Sequence, residues 1–465
     1  MARNEPESFL DRTLRNLRLA WRGRPQATAL APDLPQSEIG RLKRQIDACL
    51  KAQGGEVSAR VRAADLGQSY LGLNRDGRHR FLSLLAEDYD IDEAELTAAA
   101  VALSGAGTPV EQRASRRRLR QALVPPRVKL LTQFNALPQG VKFLVDMRAD
   151  LRSFTAKDGE ALRLLDDDLH ELLTSWFDVG FLDLERITWE SPAALLEKLI
   201  AYEAVHQIRS WEDMKNRLDY DRRCYAFFHP RMPDEPLIFI EVALVRGMTD
   251  NVQGLLDETA VKIDPESADT AIFYSISNAQ DGLAGVSFGS FLIKRVVDAL
   301  SRDLSNLKTF ATLSPVPGFM RWLHERLAAE GDDLLSAAEA EALIAGTEAE
   351  TAGEALTALL ARAGWHEDQA VADLLQPLLL RLCAVYLLEA KDGERARDPV
   401  ARFHLSNGAR LERINWLADT SANGFRQSAG IMVNYLYRLS DIEKNHEAYR
   451  GSGKVAAAPA VRRLL

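Results

Sequence analysis

From about Pro6 to Phe181 the chain runs in long charged segments whose apolar residues recur three and four positions apart, with almost no β-branched alternation. That period turns one apolar stripe per helix toward a core and predicts an all-α first part. Punctuation falls at Gly23 to Pro35, Ser104 to Pro109, Pro125-Pro126 and Pro138-Gln139-Gly140, and the intervals between suit the helices of a bundle. Between Val141 and Ala156 the stripe is Val141, Phe143, Leu144, Met147 and Leu151, a pattern that predicts core rather than a cofactor-binding face.

Past Trp176-Phe177 the period changes. Leu237 to Val245, Ala271 to Ile276 and Thr309 to Leu313 are short β-branched or aromatic runs bounded by Pro, Asp or Asn, and they predict strands. Phe291 to Asp303, with Phe291, Leu292, Val296 and Ala299 or Leu300 on one face, predicts a helix between the last two and hence an α/β layer. Phe319 to Glu394 returns to Ala- and Leu-rich helix broken at Gly346 and Gly364, and Ile431 to Tyr437 is expected to rejoin the sheet. The expected fold is mixed, α+β or α/β: a helical bundle over residues 1–180, then a sheet-bearing domain over 181–465 with a helical insertion at about 319–394. Neither an internal repeat nor a sustained heptad pattern is visible, and only the Gly451 to Ala460 tail looks low in complexity and flexible.

Composition narrows the function classes. With 465 residues, 46% of them hydrophobic, the chain can bury more than one core, which excludes disorder as the dominant state. Lys and Arg total 58 against 67 Asp and Glu, a net charge of −9, so neither nucleic acid nor an anionic membrane is an expected partner. The longest apolar stretches, Leu237 to Val245 and Leu374 to Leu388, are interrupted by charged or polar residues and fall short of the roughly 20 residues that span a bilayer, so no transmembrane helix is expected. Cys49, Cys224 and Cys383 lie far apart, which favours a reducing compartment over a disulfide framework or a Cys-based zinc site. The Arg-rich start, Arg3 to Arg24, is mixed with Glu5, Glu7 and Asp11 and reads as a first helix of the mature protein. The closing Val461-Arg-Arg-Leu-Leu465 matches no C-terminal address, and the expected location is the cytoplasm.

Three segments hold candidate chemistry. In Gly282-Leu-Ala-Gly285-Val-Ser-Phe-Gly289-Ser290, glycines after a strand and before a helix let backbone approach an anion, a phosphate cradle in principle, although tight packing needs the same glycines. It is neither a Walker A loop nor a dinucleotide fingerprint, and the tail's Gly451-Ser-Gly-Lys454 only imitates half a Walker motif. In Leu313-Ser314-Pro-Val-Pro-Gly318-Phe319, two prolines hold the Ser314 hydroxyl at a strand end, where α/β sheets place their sites; a turn or helix cap fits the same residues. No Gly-x-Ser-x-Gly elbow surrounds it, which disfavours a hydrolase nucleophile. In Phe403-His404-Leu-Ser-Asn407-Gly408, His404 is a candidate proton donor at neutral pH, or a structural histidine. The remaining histidines have no metal-ligand spacing, so no metal is expected. The basic run Arg113 to Arg120 has apolar neighbours at helical spacing and reads as a solvated helix face.

Taken in order, Phe273-Tyr-Ser-Ile-Ser, Gly285 to Val297, Leu313 to Phe319, Phe403 to Ala409 and Arg413-Ile-Asn-Trp-Leu-Ala-Asp419 closely resemble the malonyl-CoA decarboxylase family over about Trp176 to Tyr437. The resemblance implies a helical self-association domain and a catalytic domain similar to the GNAT acetyltransferase fold, assembled as a homotetramer built from dimers. It places substrate binding at Ala284, Gly285, Val286, Ser287, Phe288, Gly289 and Ser290, catalysis at Ser314 and His404, and a further site position at Tyr437 of Asn434-Tyr-Leu-Tyr437. Ser287 stands where animal members carry a glutamate, so no carboxylate role carries over there. The implied reaction converts malonyl-CoA to acetyl-CoA and CO2 with no metal or organic cofactor, the thioester serving as electron sink. Two rivals stay open: acyl transfer to an amine with a base such as Glu241, and a non-catalytic acyl-CoA sensor.

Overall fold

The computed structural model describes residues 30–51, 55–155, 159–177, 179–286 and 292–465. The Arg-rich segment expected as a first helix, the substrate positions Ser287 to Ser290 and the helix residue Phe291 lie outside them. The chain divides into two compact units: Met1–Asp183 with Phe228–Leu237 and Gln280–Phe288, and Leu184–Phe227 with Ile238–Ala279 and Gly289–Leu465.

Among the described residues of the first unit the helices are α1 Gln36–Leu50, α2 Gly55–Leu71, α3 Arg75–Asp88, α4 Glu93–Ser104, α5 Pro109–Ala122, α6 Pro126–Asn135, α7 Gly140–Thr155 and α8 Glu160–Trp176. Three of the starts follow a cap legible in the sequence: Asn74 accepts from Gly77 N, Asp92 from Ala94 N and Glu95 N, and Thr108 forms a capping box with Glu111. The apolar faces of α1, α2, α3, α6, α7 and α8 meet in one core that includes Leu42, Ile46, Phe81, Leu85, Phe134, Leu151, Leu165 and Leu169. The α7 stripe is buried as expected, and so are two cations on that helix, Lys142 and Arg148, which apolar periodicity does not reveal. α5 buries nothing, and Arg118 pairs with Glu95 on α4 at 2.8 Å, so the basic run is a solvated face.

The second unit is built on a sheet of order β1-β2-β3-β4-β5-β10-β6, with β9 also paired to β10. The strands are β1 Asp183–Ile187, β2 Arg222–Phe228, β3 Ile238–Val245, β4 Thr270–Asn278, β5 Thr309–Thr312, β6 Ser314–Pro315, β7 Lys391–Asp392, β8 Arg395–Ala396, β9 Arg410–Asn415 and β10 Met432–Leu436; β7 and β8 make a separate ribbon. β1, β2 and β9 escaped the reading of the sequence. In β2 the arginines Arg222 and Arg223 open a strand that is buried along its whole length, masking the apolar run behind them.

β4 and β5 are parallel, joined through the helix Leu292–Asp303, and their pairing spans Thr270–Phe273 against Thr309–Thr312. β4 then runs on to Asn278 while the other chain leaves for β6, which pairs with β10 through Ser314↔Val433 and Pro315↔Met432. The sheet opens at that fork. Pro315 and Pro317 have no N–H to offer a neighbouring strand, a local reason for the pairing to stop.

Helix dominates Phe319 to Leu388, but the last residues of the expected insertion form the β7–β8 ribbon instead. The helix Gln369–Leu388 is long and apolar enough, by length and composition, to cross a membrane, contrary to the expectation from the shorter run Leu374 to Leu388. Its Leu375, Leu379, Leu382, Cys383 and Tyr386 are buried in the unit. The tail also departs from expectation. Leu411 N donates to Ala456 O and Ala458 N to Leu411 O, which lays the segment along β9, and Gly453 adopts φ +61° with Glu394 O only 2.3 Å from where a Cβ would stand.

Candidate active site

At the fork, three side chains from three elements converge. Ser314 Oγ lies 3.0 Å from Nε2 of His404, and Nδ1 of the same ring lies 2.8 Å from the Tyr437 hydroxyl. Ser314 Oγ also donates to Thr312 Oγ1 at 2.8 Å, and Thr312 Oγ1 accepts from Tyr435 N at 3.2 Å. With the serine hydroxyl committed to Thr312, Nε2–H donates to Ser314 Oγ and Nδ1 accepts from Tyr437, a single direction of hydrogen bonds through the ring.

Each member is held from behind. His404 sits in the helix Pro399–Ser406, whose N-cap Asp398 accepts from Ala401 N at 2.8 Å and whose first position is Pro399. The other oxygen of Asp398 accepts from Gly318 N at 3.5 Å and from the Tyr386 hydroxyl at 3.4 Å, so one carboxylate ties the loop after Ser314 to the helix bearing His404. Gly318 is required there, because a Cβ would stand 2.2 Å from the Tyr386 hydroxyl oxygen. β10 and the residue after it present Tyr435 and Tyr437 two positions apart, hence on one face. Tyr435 stacks on the imidazole at 4.5 Å while Tyr437 bonds to it.

The electrostatics are those of a buried site with a neutral imidazole. Burial pulls the His404 pKa down to about 3, so the ring is uncharged at neutral pH, and burial raises Tyr437 well above the usual phenol value. Burial also lifts the Asp398 carboxyl to about 6, against the backbone hydrogen bonds that favour its ionised form. Ser314, Pro315, Phe403 and His404 join Phe273, Tyr274, Ile276 and Asn278 of β4 around a cavity of about 240 Å³. A larger cavity of about 580 Å³, bounded by Asp221, Arg222, Leu244 and Val261 among others, contains none of the expected site residues.

The structure thus brings Ser314, His404 and Tyr437 together. Ala284, Gly285 and Val286 belong to the first unit, where Gly285 adopts φ +83° in the turn after β4. Thr312, Asp398 and Tyr435 were missed. Asp398-Pro399 is a readable helix start, and Tyr435 shares the period-2 face of Tyr437, but only the fold shows that both serve His404.

These features define an α+β protein with a helical N-terminal region and a mixed sheet that carries a buried Ser–His–Tyr network beside a cavity. Residues 180–465 match the family described as malonyl-CoA decarboxylase C-terminal domain, and residues 89–177 the corresponding N-terminal domain. The chain belongs to the malonyl-CoA decarboxylase family. It is 38% identical to the mitochondrial malonyl-CoA decarboxylase of Anser anser anser over 95% of this chain and 91% of that one, and 38% identical to that of Rattus norvegicus over 88% and 86%. Among solved structures, malonyl-CoA decarboxylase from Rhodopseudomonas palustris is similar with a TM-score of 0.84 at 45% identity, over 91% of this chain and 99% of that one. The Agrobacterium vitis enzyme is similar with a TM-score of 0.81 at 43% identity, with the same coverage.

Proposed function

We propose that this chain is a carboxy-lyase that converts malonyl-CoA to acetyl-CoA and CO2, with Ser314, His404 and Tyr437 as its proton-handling residues. The observation that carries the assignment of roles is the continuous hydrogen-bond path from Tyr437 through His404 to Ser314. As the bond between the α-carbon and the carboxylate breaks, its electron pair moves onto the α-carbon and the thioester oxygen, giving an enolate and CO2. Ser314 turns its hydroxyl from Thr312 to the substrate, where it hydrogen-bonds the departing carboxylate or relays the proton, and His404 Nε2–H protonates the α-carbon. The Tyr437 hydroxyl resupplies Nδ1, and one proton from solvent completes the balance. A neutral imidazole suits this task because it arrives at the carbanion already carrying the proton.

The acyl-CoA would enter where β4 and β5 part, which supports reading the domain as GNAT-like: a parallel pair that separates beside the site exposes strand edge to an amide-bearing chain. The run Ala284 to Ser290 is proposed as the CoA-binding segment on the resemblance alone, as are the homotetramer and the cytoplasmic location. The acyltransferase reading loses its base, since Glu241 is buried and paired with Arg217 at 2.8 Å. Turnover in D2O tests the protonation step: acetyl-CoA should carry one solvent deuterium in its methyl group, and His404→Asn should stop its formation while acyl-CoA binding persists. Unchanged turnover in His404→Asn contradicts the assignment.

A further inference from the structure

Arg148 is an arginine on the core-facing side of α7, and it is almost fully buried. Its Nε and Nη2 donate to the two oxygens of Asp166 on α8 at 2.8 and 3.2 Å, a bidentate pair that fixes the guanidinium plane. The remaining nitrogen, Nη1, is aimed elsewhere: it donates to Gly282 O at 2.8 Å and to Ala284 O at 3.0 Å. Those carbonyls belong to the turn that leads into the run Ala284 to Ser290.

The same turn is fitted closely to the two helices. A Cβ on Gly282 would stand 1.8 Å from Val145 O of α7, so only glycine permits that approach. Gly285 at φ +83° would place a Cβ 3.6 Å from His170 Nε2 of α8. Asp166 and His170 are one helical turn apart and share a face. α7 and α8 therefore form a cradle for Gly282 to Gly285, with Arg148 as its hydrogen-bonding centre. A core position filled for stability alone would be served as well by an apolar side chain, whereas a bidentate arginine with a spare nitrogen fixes the direction of two particular carbonyls.

We propose that Arg148 is a positioning residue that presets Ala284 to Val286, the start of the substrate-binding run. The proposal rests on reading Ala284 to Ser290 as that run. Presetting a binding segment lowers the ordering cost of association, so its loss falls on KM rather than on kcat.

The test uses the full-length protein with Arg148→Met, the milder Asp166→Asn, and Arg127→Met as control. Arg127 is an equally buried arginine in the same unit, paired with Asp168 and Asp90 and bonded to Ala86 O, with no contact to the turn. Arg148→Met should raise KM for malonyl-CoA about tenfold or more with kcat within about threefold. Asp166→Asn should move KM the same way by less, which keeps the test open if Arg148→Met does not fold. Amide exchange at Leu283, Ala284 and Val286 should accelerate in both, while Arg127→Met should lower thermal stability without shifting KM or that exchange. Unchanged exchange in the Arg148 and Asp166 variants, or an equal KM shift in Arg127→Met, overturns the proposal. Faster exchange with unchanged KM keeps the anchor but overturns the substrate-run reading, and the positioning role falls with it.

Discussion

Ser314 and His404, ninety residues apart in the chain, meet at 3.0 Å between Oγ and Nε2, with no charged partner on either atom among the described residues. The imidazole is buried and neutral, braced by the ring of Tyr435 and by the hydroxyl of Tyr437. This is the geometry of a donor held in one tautomer, fixed on the Nε2 side by the Ser314–Thr312 bond and supported at Nδ1 by the Tyr437 hydroxyl.

Tyr437→Phe removes the hydroxyl at Nδ1 and leaves the packing in place. The tautomer with its proton on Nε2 then loses its support, and kcat should fall about 10²-fold with little change in KM, in line with the loss of one positioned proton-transfer partner. Steady-state kinetics that separate kcat from KM check this.

Thr312→Val keeps the shape of β5 and deletes the oxygen that accepts from Ser314 and from Tyr435 N. It strands a buried backbone N–H and frees the serine hydroxyl, so both stability and kcat should drop, the first by about 1–3 kcal/mol. Denaturant titration and turnover measured on the same preparation give the two numbers.

The pH dependence should follow Asp398 rather than His404. With its pKa near 3, His404 does not titrate across the working range, whereas the carboxyl of Asp398 takes a proton as pH falls through about 6 and weakens the cap on the helix that carries His404. An acid limb near 6 is expected in kcat, and it should vanish in Asp398→Asn, which caps without titrating. The fold itself is not lost there through this group. Its folded pKa is raised above the unfolded value of about 3.9, so lowering the pH from 6 toward 4 favours the native state. A pH–rate profile recorded beside a melting curve at each pH separates the two effects.

Gly408 ends the His404 helix at φ +80°, and a Cβ there would stand 2.2 Å from Ile442 O. Gly408→Ala should cost at least about 1–3 kcal/mol and disturb the seat of His404, lowering the melting temperature and kcat together.

How much of this was legible beforehand depends on the signal each part leaves. The α7 stripe announces itself because burial of one helix face imposes a period, and β3, β4 and β5 because burial on both faces makes short continuous apolar runs. β9 does not, since Glu412 is left unpaired between Leu411, opposite Tyr435, and Arg413, opposite Asn434, and this bulge breaks the alternation that would mark the strand. Ser314 and His404 stood out from the loops that carry them, although each also fits a structural role there, and Tyr437 stood out through the resemblance of the motif around it. Thr312 accepts from Tyr435 N 123 residues on, Asp398 accepts from Gly318 N 80 residues back and Arg148 donates to Gly282 O 134 residues on, and such contacts leave no local pattern. The tail Gly451 to Ala460 shows the converse, a low-complexity stretch ordered by backbone bonds to β9 that side-chain composition does not encode.

Decarboxylation of malonyl-CoA by this network can be tested without any second substrate. The direct measurement is purified protein given malonyl-CoA alone, with CO2 and acetyl-CoA followed together, repeated with Ser314→Ala and His404→Asn. Equal amounts of both products from the unmodified chain, lost in both variants, are the predicted result. Saturable binding of malonyl-CoA without products, or products that persist in either variant, would contradict it.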